Sequence, residues 1–229
     1  MDPQTAVEKK GMEASLLEQK IHRRKFFQFS GVAVTSAAFI ASCRKKDNDG
    51  VNLGSGDTGV LNYAYALEQL ESAFYTRVMS APYKGITSTE TIYLTDIRDG
   101  EISHREFFKN LLGGSAIPAL EVDFSTVNFS SRESVLNTAK MFEDTGVSAY
   151  NGAGKLLTVP ANLVIAGKIV SVEARYAAIL RDLLSNNSFA GSDVVDAMGL
   201  DKARMPKEVL RIVSPFIKTK INANNLPTS

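Results

Sequence analysis

Cysteine and histidine are the scarce residues of this 229-residue chain: one of the first, Cys43, and two of the second, His22 and His104. A single cysteine allows no internal disulfide, even in an oxidising compartment, and excludes an iron–sulfur cluster held by several thiolates. Charge of one sign is also missing. Lys and Arg together number 26 against 25 Asp and Glu, a net +1, so there is no bulk electrostatic case for nucleic acid. No Gly-x-Ser-x-Gly elbow occurs. The stretch AYNGAGKLL around Lys155 lacks the first glycine of a phosphate loop and carries Leu156 where Ser or Thr is required, so it reads as a helix-end turn. What is present is 44% apolar residues, enough for one buried core of domain size.

The N-terminal residues follow the pattern of an export signal. His22-Arg23-Arg24-Lys25 precedes an apolar stretch over 29–40, too short for a membrane-spanning helix, and then the small residues before Cys43. RRKFF resembles the twin-arginine export motif, and IASC resembles the lipobox, in which the cysteine is lipidated and becomes the first residue of the mature chain. The expected organisation is therefore an export signal over 1–42, a flexible tether over 43–59 (polar and Gly-rich, RKKDNDGVNLGSGDTG after the cysteine) and a folded body over 60–229. Met12 offers a second start. The expected location is the periplasmic side of the cell envelope, held to a membrane through Cys43.

From about Val60 the periodicity is helical, in four long segments at about 60–80, 89–112, 131–154 and 161–184. Thr87 with Glu90, and Ser130 with Glu133, fit capping boxes; Gly113-Gly114 can close the second segment, and Pro160 fits the first turn of the fourth. A long connection, GSAIPALEVDFSTVNFS, joins the second to the third and can cross a bundle from end to end. SNNSFAGS at 185–192 reads as a loop, and KEVLRIV at 207–213, behind Pro206, as a short covering helix.

At alternating steps of four and three, the second segment gives Ile97, Glu101, His104, Phe108, Leu111, and the fourth gives Ile169, Glu173, Tyr176, Leu180, Leu183. The first gives Leu61, Ala64, Glu68, Glu71, Tyr75, Val78, and the third gives Leu136, Ala139, Glu143, Gly146, Tyr150, Ala153. The chain reads as one helical hairpin duplicated, with a Glu on the apolar face of every helix. Four carboxylates facing one interior repel each other and lose hydration, which raises their pKa values or demands cations. Carboxylates with imidazole suit iron, manganese or zinc. The bland alternative for any single one is an edge residue reaching water.

One Glu from each of two helices, plus Glu-x-x-His from the others, resembles the ligand set of ferritin-like dimetal carboxylate bundles. More narrowly, LEQLESAFY (67–75), EISHREFF (101–108), FEDTGVSAY (142–150), VEARYAAILR (172–181) and the tail PKEVLRIVSPF (206–216) resemble exported bacterial ferritin-like domain proteins related to desiccation-associated proteins. The resemblance implies an all-α four-helix bundle with a long crossover between its second and third helices and a short C-terminal covering helix. It implies one or two iron or manganese ions, with Glu68, Glu101 and His104 on one metal, Glu101 able to bridge, and Glu143 with Glu173 on the other. Glu71 is the alternative ligand from the first helix, and Tyr75 and Tyr150 would hydrogen-bond near the site. One departure stands out: Tyr176 occupies the place of the second histidine. The implied chemistry is oxidation of Fe(II) by dioxygen or peroxide; the alternative is a stress-associated envelope lipoprotein without catalysis.

Overall fold

The computed structural model describes residues 50–228; the expected export signal with Arg23, Arg24 and His22, and the expected lipidation residue Cys43, lie outside them. Four long helices run as α1 (Gly56–Ser80), α2 (Ser88–Leu112), α3 (Arg132–Gly154) and α4 (Pro160–Leu184), followed by the short α5 (Pro206–Val213). Helix α1 packs along α2, α3 along α4, and α1 meets α3 across the middle. This is the all-α four-helix bundle expected from the periodicity. Among the described residues no helix is long and apolar enough to cross a membrane.

Helix ends follow local chemistry. Thr87 and Glu90 form the expected capping box, with Glu90 N–H donating to Thr87 Oγ1 at 3.1 Å and Thr87 N–H to Glu90 Oε2 at 2.8 Å. At α3 the expected Ser130/Glu133 box gives way to Ser131, whose hydroxyl accepts from Ser134 N–H at 3.3 Å. Gly113, with φ at 51°, ends α2 and donates to the Lys109 carbonyl. The inward stripe of α2 ends on buried Leu112, and the expected Leu111 is exposed, because a strict four-three ladder drifts against the 3.6-residue turn.

Helix α1 is buried on nearly every side, since the connection between α2 and α3 runs along its outer face. Two buried amides tie that connection down. Asn62 Nδ2 donates to the carbonyls of Leu53 and Ser115 while its Oδ1 accepts from Ile117 N–H, and Gln69 Oε1 accepts from Leu120 N–H. Phe74 of α1 then packs edge-on against Phe124 of the connection and Phe142 of α3. Helix α5 lays buried Val209 and Val213 on the bundle, as a covering helix should.

The tether expected through Gly59 is overturned from Gly50 onward. Strand β1 (Val51–Asn52) pairs in parallel with β2 (Ile221–Asn222), and Leu53 is fully buried. Helix α1 starts four residues before Val60, because the small polar residues there are used for close contact. A Cβ at Gly59 would stand 2.7 Å from the Gly54 carbonyl oxygen. Asp57 also reaches across to the start of α4, accepting from Thr158 and Val159 N–H and from Asn162 Nδ2. It caps a helix whose own N-cap, Val159, offers no side-chain acceptor.

Candidate metal centre

Each long helix delivers one glutamate to the bundle centre: Glu68 from α1, Glu101 from α2, Glu143 from α3 and Glu173 from α4, all with no exposed surface. The local reason is the periodicity already described, since each Glu replaces one apolar side chain on an inward stripe and its neighbours one turn away stay buried. Glu71, one turn after Glu68, is also buried. His104 stands one turn after Glu101 and is mostly buried.

Around His104 the donors converge. Its Nδ1 lies 2.9 Å from Glu173 Oε1, 3.4 Å from Glu68 Oε2 and 3.8 Å from Glu101 Oε2. None of these approaches has the alignment of a hydrogen bond, and Nδ1 has no hydrogen-bond partner. Donor atoms of Glu68, Glu101, His104 and Glu173 all fall within 4.8 Å of one another. Neighbouring ligands on an octahedral cation with bonds of about 2.1 Å are themselves about 3 Å apart, so the His104–Glu173 spacing is that of two ligands sharing an ion.

Two tyrosines brace the cluster from the opposite half. Tyr75 of α1 donates its hydroxyl to Glu143 Oε1 of α3 at 2.6 Å, and Tyr150 of α3 donates to Glu68 Oε1 of α1. Burial, followed by neighbouring carboxylates, raises both phenols well above their ordinary range, so they remain donors. Burial likewise raises the carboxyls of Glu71, Glu101, Glu143 and Glu173, with mutual repulsion second. Burial alone would lower the His104 imidazolium; the carboxylates of Glu101, Glu173 and Glu68 outweigh it and raise it.

Seven buried atoms of this cluster have no hydrogen-bond partner: Glu68 Oε2, both oxygens of Glu101, His104 Nδ1, Glu143 Oε2 and both oxygens of Glu173. A buried polar group without a partner costs about 1–3 kcal/mol, and more when charged, whereas a domain is stable by only about 5–15 kcal/mol. Left bare, these groups would consume most of that margin. Oxygen and imidazole donors aimed at one enclosed space are satisfied by a cation of the iron or manganese type, and the residues fit such a group.

The family model described as "Ferritin-like domain" matches residues 56–186, from the first residue of α1 to just past the end of α4. The chain belongs to the ferritin-like domain family. No curated protein matches it.

Within this ferritin-like bundle the expected ligands come together, and Glu173 has neighbours beyond the expected one. Glu173, expected with Glu143 on a second metal, lies against His104 and joins Glu68 and Glu101. Its Oε2 also faces Gly146, one turn after Glu143 on α3, and so Glu173 stands between the two groups. Tyr75 and Tyr150 hydrogen-bond to site carboxylates as expected, each to the Glu of the other half. Tyr176 is half-buried beside the cluster, its hydroxyl against the Cα of Gly100, where any Cβ would overlap the phenol oxygen. Burial raises its pKa, with the Glu101 carboxylate next, and a neutral phenol is a poor metal ligand.

Two residues matter that sequence reasoning did not single out. Gly100 makes room for Tyr176, and Gly146 makes room for Glu71, since a Cβ at 146 would stand 3.1 Å from Glu71 Oε1 and 3.6 Å from Glu173 Oε2. The signal was available: both glycines interrupt helices at inward or near-inward positions, where glycine costs about 1 kcal/mol relative to alanine unless close packing requires it.

Proposed function

We propose that this ferritin-like chain binds iron or manganese at the bundle centre and uses the metal for redox chemistry, oxidising Fe(II) with dioxygen or peroxide. The observation that carries the reading is the quartet of Glu68, Glu101, His104 and Glu173, enclosed and convergent, with Glu68 Oε2, His104 Nδ1 and both oxygens of Glu101 and Glu173 lacking hydrogen-bond partners. A bound redox metal would supply the electron transfer. The chain's own part is to hold oxygen and imidazole donors in a fixed array, to keep bulk water away, and to brace Glu68 and Glu143 with the hydroxyls of Tyr150 and Tyr75. Export by the twin-arginine route and a lipid anchor at Cys43 complete the proposal; the sequence pattern of the first 43 residues supports both.

Tyr176 in place of a second histidine favours a second reading, a stress-associated envelope protein that keeps the bundle without turnover. The two separate on one preparation. The full-length protein, expressed in medium containing iron and manganese, is expected to retain metal at or above one ion per chain and to consume dioxygen on addition of Fe(II). Retained metal without oxygen uptake favours the second reading, and absence of metal overturns both metal occupancy and the redox role.

A further inference from the structure

Glu71 and Tyr176 are inward positions where the internal repeat changes its polar chemistry, not only the size of an apolar side chain. By the offsets of the two hairpins, Glu71 corresponds to Gly146, His104 to Tyr176 and Gly100 to Val172. These differences are paired in space. The extra carboxylate of α1 lies where α3 has no side chain, and the larger ring of α4 lies where α2 has none. The half without a second imidazole faces the half with the additional carboxylate.

Glu71 Oε1 and Glu173 Oε2 both come within 4 Å of the point above Gly146 where a side chain would begin, and Glu143 is one turn earlier on the same helix. Glu143 Oε2 and Glu173 Oε2 are buried and unpartnered, while Glu173 Oε1 is turned to His104. The nearby phenol does not meet this need, because its hydroxyl is turned to the Gly100 backbone. We propose that Glu71 replaces the missing imidazole, forming with Glu143 and Glu173 a second, all-carboxylate cation position beside that of Glu68, Glu101 and His104. The assignment rests on the metal-binding reading above. Oxygen-only ligands select a hard cation, so this position takes manganese or ferric iron in preference to zinc. The three carboxylates lie less tightly than the quartet around His104, and would have to close on a cation to hold it.

The test is manganese content per chain of the full-length protein after gel filtration, alongside its melting midpoint with and without Mn2+. Two ions are expected in the unaltered protein, one in Glu71→Gln, and two again in Glu71→Gln/Tyr176→His, where an imidazole is returned to α4. Two ions in Glu71→Gln alone, or one in both it and the unaltered protein, overturns the assignment and leaves the first metal position standing. No manganese or iron in the unaltered protein overturns the metal-binding reading itself. Should Glu71→Gln fail to fold, Gly146→Ala displaces the same carboxylate by crowding it and is expected to weaken the second ion at least tenfold with the first unchanged. Equal weakening of both, or of neither, goes against Glu71.

Discussion

Tyr75 and Glu143 join opposite halves of the bundle through a 2.6 Å hydrogen bond from the phenol to the carboxylate, and Tyr150 returns the same bond to Glu68. Each bond satisfies one oxygen of a fully buried carboxylate, so losing it leaves that oxygen bare. Tyr75→Phe is expected to cost about 1–3 kcal/mol in the metal-free protein. Denaturant unfolding in the presence of a chelator measures it. A loss below about 0.5 kcal/mol would show that Glu143 finds another donor.

Glu101 has two buried oxygens and no hydrogen-bond partner for either. Its replacement by an apolar side chain of similar volume removes a desolvated acid from a crowded cluster. Glu101→Met should raise metal-free stability by about 1–4 kcal/mol while metal per chain falls. Unfolding curves and elemental analysis on the same samples read both effects, and a destabilised variant that keeps its metal contradicts the site.

Stability should move in opposite directions with pH in the metal-free and metal-loaded protein. Burial first, and repulsion second, hold the folded-state carboxyls of Glu71, Glu101, Glu143 and Glu173 above their ordinary values. The folded state therefore binds more protons than the unfolded chain once pH exceeds about 4.5. Stability from these groups is complete below that point and is lost as pH rises through the folded values. In a chelator the melting midpoint is expected to be lower at pH 7.5 than at pH 5. With saturating Mn2+ the order reverses, because protons compete with the metal for the same oxygens. A metal-free midpoint that climbs between these pH values rules out the buried-acid account.

The Gly100–Tyr176 contact predicts a coupled pair of substitutions. Gly100→Ala gains helix propensity of about 1 kcal/mol, yet its methyl overlaps the phenol oxygen, and overpacking of that kind costs about 1–3 kcal/mol. The single change should be neutral to destabilising. Combined with Tyr176→His, whose shorter ring vacates the contact, it should become stabilising, with an interaction energy of at least about 0.5 kcal/mol in a double-mutant cycle. Additive effects would mean that the two residues do not touch in solution.

Much of this was written in the spacing of the chain. The four helices were legible because apolar residues recur at three and four, and the inward Glu68, Glu101, Glu143 and Glu173 because each interrupts that recurrence at the same level. The reach of Tyr75 and Tyr150 was legible as proximity alone. That each braces the opposite half depends on how α1 crosses α3, which no single helix encodes. That Glu173 also reaches His104 was not legible for the same reason: spacing puts it on a face of α4 but says nothing of its distance to His104 on α2. Residues 50–59 misled because glycine and small polar residues read as a tether, whereas here they supply the close contact at Gly59 and the long-range cap from Asp57.

The missing Cβ atoms at 100 and 146 leave the two hairpins unable to stand in for each other. A recombinant gene with the first hairpin in both places would set a second carboxylate into the volume Glu71 already fills. With the second hairpin in both places, a valine would meet the phenol ring where Gly100 now yields to it. Exchange between the halves would thus be blocked at the level of folding, and the two hairpins keep their left and right hands apart.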